Sequence, residues 1–273
     1  MPWRRSIALA LEAYAAETID RIAPTRCPAD RQVMCQNWYD LTFLHWVVPA
    51  EQLRALIPSE LELDTFEGRA YVGLIPFTMR GIRPMWAPAV QPLSDFHETN
   101  VRTYVHLRGS APGVWFFSLD AANAVAVRIA RSLWKLPYHY ARMTLSREPT
   151  EGGNAGNASA TPTITYDSER LWPSPLPATC RVVCTPEGPV RPAEAGTLEH
   201  FLAERYLLYA YRDGQLYRGQ VYHTPYPLQT AAIGHIEENL IATAGIARPD
   251  VPPLAHYAAG LQVRIFPLRR VPR

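Results

Sequence analysis

The sequence predicts an α+β domain built mainly from antiparallel strands. Three observations point there. Short segments of alternating polarity recur along the chain, and turn pairs such as Asp213-Gly214 join them as hairpins. Few segments carry helical spacing. The 273 residues suit one large β-rich domain or two ordinary ones, and 48% hydrophobic against 19% charged residues supplies a core without a disorder signature.

Taken in order, residues 1–26 read as an N-terminal helical extension and 27–273 as a single domain. Ile7, Leu9, Leu11, Tyr14, Ile19 and Ile22 are partly helix-periodic, which predicts a helix from about Ser6 to Ile22 that packs on the body or on a second copy. VMCQNWYDLTFLHW is strand-like, and Pro49 opens a short helix, AEQLRALI, ended by Pro58. LELDTFEGRAYVGLIPFTM reads as two strands around Glu67-Gly68, and residues 81–95 as an ordered proline-bearing loop. In ETNVRTYVHLRG, Val101, Thr103 and Val105 fall on one face; Asn100, Arg102, Tyr104 and His106 fall on the other. VWFFSLDA is its expected hairpin partner. AVAVRIARSLW is helical until Pro137, and YHYARMTLSRE resumes as strand. GGNAGNASA reads as a hairpin tip. LWPSPLPATCRVVCTPEGPVRP reads as a long connection, TLEHFLAERYLLYAY as a helix capped by Thr197, and HYAAGLQVRIFPL as a closing strand.

Composition excludes several functions. A net charge of +2 with dispersed basic residues argues against nucleic-acid binding. No stretch has the length of a membrane span, and Glu12 interrupts the N-terminal apolar run, so a cytoplasmic protein is expected. Cys27, Cys35, Cys180 and Cys184 form no C-x-x-C pair and read as core or partly buried thiols. His235-Ile236-Glu237-Glu238 lacks the spacing of a zinc helix, and no phosphate loop, nucleophile elbow or dinucleotide fingerprint occurs. No metal and no cofactor is expected. Of 27 Lys+Arg, one alone is lysine, Lys135.

Residues Ala130 to Ala141, ARSLWKLPYHYA, resemble the signature G-R-E-x-[WY]-G-[FY]-P-K-K-x-A of the acetoacetate decarboxylase-like superfamily, with Arg131, Trp134, Pro137 and Ala141 in register. Phe96-His97-Glu98 resembles that family's aromatic-x-Glu. His45-Trp46, Pro58 to Val72, Glu98 to Val105, Gly113 to Asp120 and Leu136-Pro137-Tyr138 resemble its uncharacterised YqjF-like branch. The resemblance implies a cone-like antiparallel β-barrel with flanking helices and an interior cavity. It also implies that the Schiff-base lysine pair is replaced here by Tyr138 and His139, so classical acetoacetate decarboxylase activity is not expected.

The candidate catalytic residues are therefore Glu98, Tyr138, His139 and Lys135. The candidate ligand-binding residues are Arg102, Arg131, Asn100 and His223. Glu98 and Arg102, four apart on one strand, share a face and read as ligand groups or as an ion pair. A histidine at position 139 suits acid–base work, and a tyrosine at 138 suits donation to a developing oxyanion. Adjacent strand residues face opposite ways, and Tyr138 is the one expected inward. Lys135 lies three residues before the signature's lysine position; His223 sits among aromatics. The leading expectation is a small-molecule-binding protein, an enzyme on a carbonyl or carboxylate compound without a Schiff base if it is catalytic. The alternatives are a non-catalytic ligand-binding or regulatory barrel, and a decarboxylase or aldolase-type lyase using Lys135. The N-terminal helix makes a homodimer an expectation as well.

Overall fold

The computed structural model describes residues 19–91, 93–149 and 162–272. The helix expected over residues 6–22 and the hairpin tip GGNAGNASA lie wholly or largely outside these; within 19–26 there is a single 3-10 turn, Ala23–Thr25. The elements that follow are β1 (Met34–Val48), α1 (Ala50–Arg54), β2 (Glu62–Leu63), β3 (Ala70–Pro84), β4 (Phe96–Leu107), β5 (Ser110–Ala121), α2 (Ala124–Leu133), β6 (Tyr138–Pro149), β7 (Pro162–Trp172) and β8 (Thr179–Arg191). Then come α3 (Leu198–Ala203), β9 (Leu207–Arg212), β10 (Gln215–Tyr222), β11 (Leu228–Glu238), α4 (Leu240–Thr243), β12 (Leu254–Ile265) and β13 (Arg269–Arg270).

The strands form one mixed sheet in the order β13-β10-β9-β5-β6-β7-β8-β11-β12-β1-β3-β4-β2. Additional β4–β5 and β10–β12 pairings curl it into a cone-like surface. Pairing is antiparallel except at β5–β6 and β5–β9, which are parallel. Helix α2 makes the β5–β6 crossover that a parallel pair requires. Asn123 caps α2 by accepting from the amides of Val125 and Ala126, both unpaired donors of the first turn.

Four local expectations change. The Glu67-Gly68 turn closes only a Phe66–Arg69 bridge, and β2 pairs with β4 rather than β3. Residues 81–84 continue β3 before the loop begins. TCRVVCTPEGPVR is not connection but strand β8, because Cys180, Val182 and Cys184 alternate into the core. The helix begun at Thr197 ends at Ala203, and aromatic-rich LLYAYR becomes β9, paired with both β10 and β5. The Asp213-Gly214 turn is as expected: both residues have positive φ, 54° and 72°, as a tight hairpin demands.

Residues directly opposite across a ladder share a face, so β4 divides the interior in two. Val101 joins a core with Leu44, Trp46, Leu74, Ile164 and Val182, closed by Leu240 and Ile241 of α4. Glu98, Asn100 and Arg102 lie opposite Phe77, Ile75 and Gly73. Ile75 and Phe77 belong to a second cluster with Leu41, Phe43, Tyr226 and Leu228. Among the described residues no helix is long and apolar enough to cross a membrane. All four cysteines are free; Cys35, Cys180 and Cys184 are buried and Cys27 is exposed.

Candidate functional site

The even-numbered face of β4 carries the polar residues, and all are buried: Glu98, Asn100, Arg102 and Tyr104. Strand β6 enters beside β5 with Tyr138 opposite Leu119, itself opposite Asn100. That register brings the Tyr138 hydroxyl to Glu98, where it donates to Oε2 at 2.9 Å. Burial pushes the Glu98 carboxyl up to about 8, Tyr138 and Asn100 hydrogen bonds pull the other way, and the charge of Asp120 adds to the rise. Glu98 is thus mostly a neutral acid at pH 7. Burial and the neighbouring Glu98 raise the Tyr138 phenol well above its ordinary range.

Arg102 does not pair with Glu98. Its Nη2 donates to the carbonyl of Leu202 at 3.0 Å, and its guanidinium lies over the rings of Phe43 and Tyr104. The Tyr104 hydroxyl also donates to that carbonyl, at 2.7 Å. A hydroxyl has one proton to give, so at the 2.6 Å contact with His45 Nε2 the imidazole is the donor. His45 Nδ1 is then a bare acceptor. Burial, with the Arg102 charge behind it, drives the His45 pKa well down and keeps the ring neutral. Glycine leaves room beneath it: a Cβ on Gly73 would meet the imidazole at 3.0 Å, tighter than most real contacts.

His223 closes the cluster. It stacks on Tyr206 at 4.3 Å and contacts Tyr226, which packs on Phe43. Its Nδ1 lies 2.7 Å from the carbonyl of Thr224 and so carries the proton, leaving Nε2 unprotonated. Burial lowers its pKa to about 4. Glu204 accepts from the Tyr206 hydroxyl and the Tyr226 amide, which ties this wall together. Four buried polar atoms of the cluster have no hydrogen-bond partner among the described residues: Asn100 Oδ1, Arg102 Nε, His45 Nδ1 and His223 Nε2. Buried polar atoms are nearly always paired, so these four call for a polar partner that the described residues do not supply.

The remaining sequence candidates lie elsewhere. His139 turns to the opposite face of β6, 2.9 Å from the carbonyl of Pro173 and close to the Asp120–Arg170 ion pair. Burial lowers its pKa. Arg131, in the last turn of α2, donates to the backbone carbonyl of Tyr138 at 2.6 Å and lies over Trp172. It holds the tyrosine's backbone and does not join the Glu98 face. Lys135 follows α2, and its ammonium lies 5.2 Å from the centroid of Tyr217. Among the described residues no three His, Cys, Asp or Glu side chains are grouped to hold a metal ion. Sequence reasoning missed Tyr104 as the partner of His45, and Glu204 altogether. The signal for Tyr104 was present, since it shares the face of Asn100 and Arg102; the signal for Glu204 was hidden inside an apparent helix.

The family model of DUF2071, described as an uncharacterized conserved protein, matches residues 35–262. The chain is 38% identical over 239 residues to the uncharacterized protein YqjF of Bacillus subtilis (strain 168), across 87% of this chain and 92% of that one. Its fold is similar to an acetoacetate decarboxylase-like enzyme from Sphingomonas wittichii RW1, with TM-score 0.61, 14% identity, and 89% and 94% of the two chains covered. It is similar to the enduracididine biosynthesis enzyme MppR complexed with the condensation product of pyruvate and imidazole 4-carboxaldehyde, with TM-score 0.61, 13% identity, and 88% and 90% covered. Acetoacetate decarboxylase from Legionella pneumophila gives TM-score 0.56, 13% identity, and 92% of each chain covered. At such identities these likenesses show the fold.

Proposed function

This chain belongs to the DUF2071 family and has an acetoacetate decarboxylase-like fold, and from that premise we propose that its Glu98 face binds a small carbonyl or carboxylate compound and moves a proton on it without a Schiff base. The observation that carries this reading is the neutral, tyrosine-bonded Glu98 on the same face as the unpaired Asn100 Oδ1 and Arg102 Nε. A buried carboxyl poised near neutral pH serves equally as proton donor and acceptor. Arg102, through its unpaired Nε, would stabilise negative charge on a ligand oxygen. Tyr138 orients the Glu98 carboxyl. The positions that hold lysines in the family signature are Tyr138 and His139, so no amine at those positions is available for an imine.

The neighbour MppR was captured with a pyruvate-derived product, and pyruvate is a suitable first probe. Deuterium entry into its methyl group in heavy water, followed by proton resonance, reports proton transfer directly. Glu98→Gln and Tyr138→Phe are each expected to slow exchange by about a hundredfold or more while the thermal transition stays cooperative. Exchange at the wild-type rate in both folded variants would discard the assignment. Saturable pyruvate binding without exchange would instead favour a binding role for the same face.

A further inference from the structure

Away from the Glu98 face, an open groove of about 860 Å³ lies along α2 and β9. Arg128, Arg131, Lys135 and Arg212 line it, and aromatic side chains, among them Trp115, Trp172 and Tyr209, wall it. No acidic side chain is among its lining residues. The cations are not spent on carboxylates. Arg131 donates to the Tyr138 carbonyl, and Arg212 donates to the carbonyl of Arg131 at 2.6 Å. Arg212 has only a loose, exposed contact with Asp213 at 3.9 Å. Arg128 is exposed and has no partner among the described residues. The C-terminal dipole of α2 accounts for a cation in its last turn. It does not account for Arg212, which converges from another element.

Lys135 adds an independent observation. It immediately follows the helix cap Trp134 and has φ of 58°. Glycine takes that left-handed conformation freely, whereas a residue with a side chain takes it at a cost. The chain has one lysine in all, and it stands here, at the groove. Asp40, Glu67, Arg108, Ala111 and Asp213 also have positive φ, so the backbone there sets a turn, and the ammonium counts through its place in the groove lining.

We propose that this groove binds an organic anion, its carboxylate, sulfonate or phosphate held by Arg128, Arg131, Lys135 and Arg212, and its flat apolar body laid on the aromatic wall. The site is separate from the Glu98 face and does not depend on that assignment. Anilinonaphthalene sulfonate is the probe, and neutral phenylnaphthylamine the control, both titrated by fluorescence against the full chain. One saturable site for the sulfonate is expected, weakening as salt rises from about 0.05 to about 0.5 M. Arg128→Gln and Lys135→Gly are each expected to weaken it about fivefold. Lys135→Gly is also expected to raise the melting temperature by about 2 °C, opposite in sign to its effect on binding. Equal binding of the neutral dye, or wild-type affinity in both variants, would mean apolar adhesion only and would overturn the proposal.

Discussion

The buried Glu98 cluster and the open arginine groove meet at one residue and obey different electrostatics. The Tyr138 side chain reaches Glu98, while its backbone carbonyl is held by Arg131 of the groove. Inside, desolvation dominates: Glu98 is held near neutrality, and His45 and His223 are kept uncharged. In the groove the cations face open solvent, where water screens their fields. Under the two proposals, the buried face would select by hydrogen-bond complementarity and protonation state, and the groove by net charge. The difference teaches that a polar residue's consequences follow from its solvation more than from its type.

The comparison can be strained hardest at another buried charge on β5. Asp120 and Arg170 form a two-point ion pair at 2.7 and 2.9 Å, with side chains 0% and 1% exposed. Asp120→Ala leaves Arg170 buried and unpaired and is expected to cost about 3–5 kcal/mol by denaturant unfolding. Replacing both residues with apolar ones of similar volume is expected to cost much less. Equal losses in the two variants would show that desolvation does not dominate the interior.

A smaller effect is expected from pH. The folded Glu98 pKa, about 8, lies above its unfolded value, so its contribution is complete at low pH and is lost as pH rises toward 8. His223, lowered to about 4, contributes oppositely: its share is present above about 6.5 and is lost as pH falls through 4. The two slopes oppose each other at acid pH, and of this pair only Glu98 acts between about 6.5 and 8. Stability should decline there by up to about 1.4 kcal/mol per pH unit, and Glu98→Gln should flatten the decline. A slope unchanged in that variant would assign the titration elsewhere. The smallest effect belongs to the groove. Arg128→Gln is expected to change stability by less than about 0.5 kcal/mol at any salt concentration.

Much of this was legible in the sequence, for physical reasons. Strand β4 alternates without interruption, which puts Glu98, Asn100 and Arg102 on one face from the sequence alone. The adjacency rule separated Tyr138 from His139, and the structure places only Tyr138 beside Glu98. The Glu98–Arg102 ion pair did not form, because the carbonyl of Leu202, a hundred residues downstream in the chain, takes the guanidinium instead. No local pattern encodes such a contact. Arg131 was grouped with the ligand residues by its place in a motif, but a helix turn carries it to the groove. Proline content disguised β8 as a connection, since composition outweighed the Cys180-Val182-Cys184 alternation. The glycine of the family signature at the position of Lys135 was a readable cue to a left-handed backbone.

The distribution of reactive side chains has a practical consequence for labelling. One cysteine, Cys27, is exposed among three buried ones, and burial raises the thiols of Cys180 and Cys184 further from reactivity. One lysine supplies the only side-chain amine. A maleimide dye at Cys27 and, once the more acidic α-amine of the N-terminus has been blocked near neutral pH, an amine-directed dye at Lys135 would occupy two chemically orthogonal positions without any cysteine or lysine having to be engineered away. The natural chain is close to a ready-made two-colour reporter, with one fluorophore at the edge of the groove.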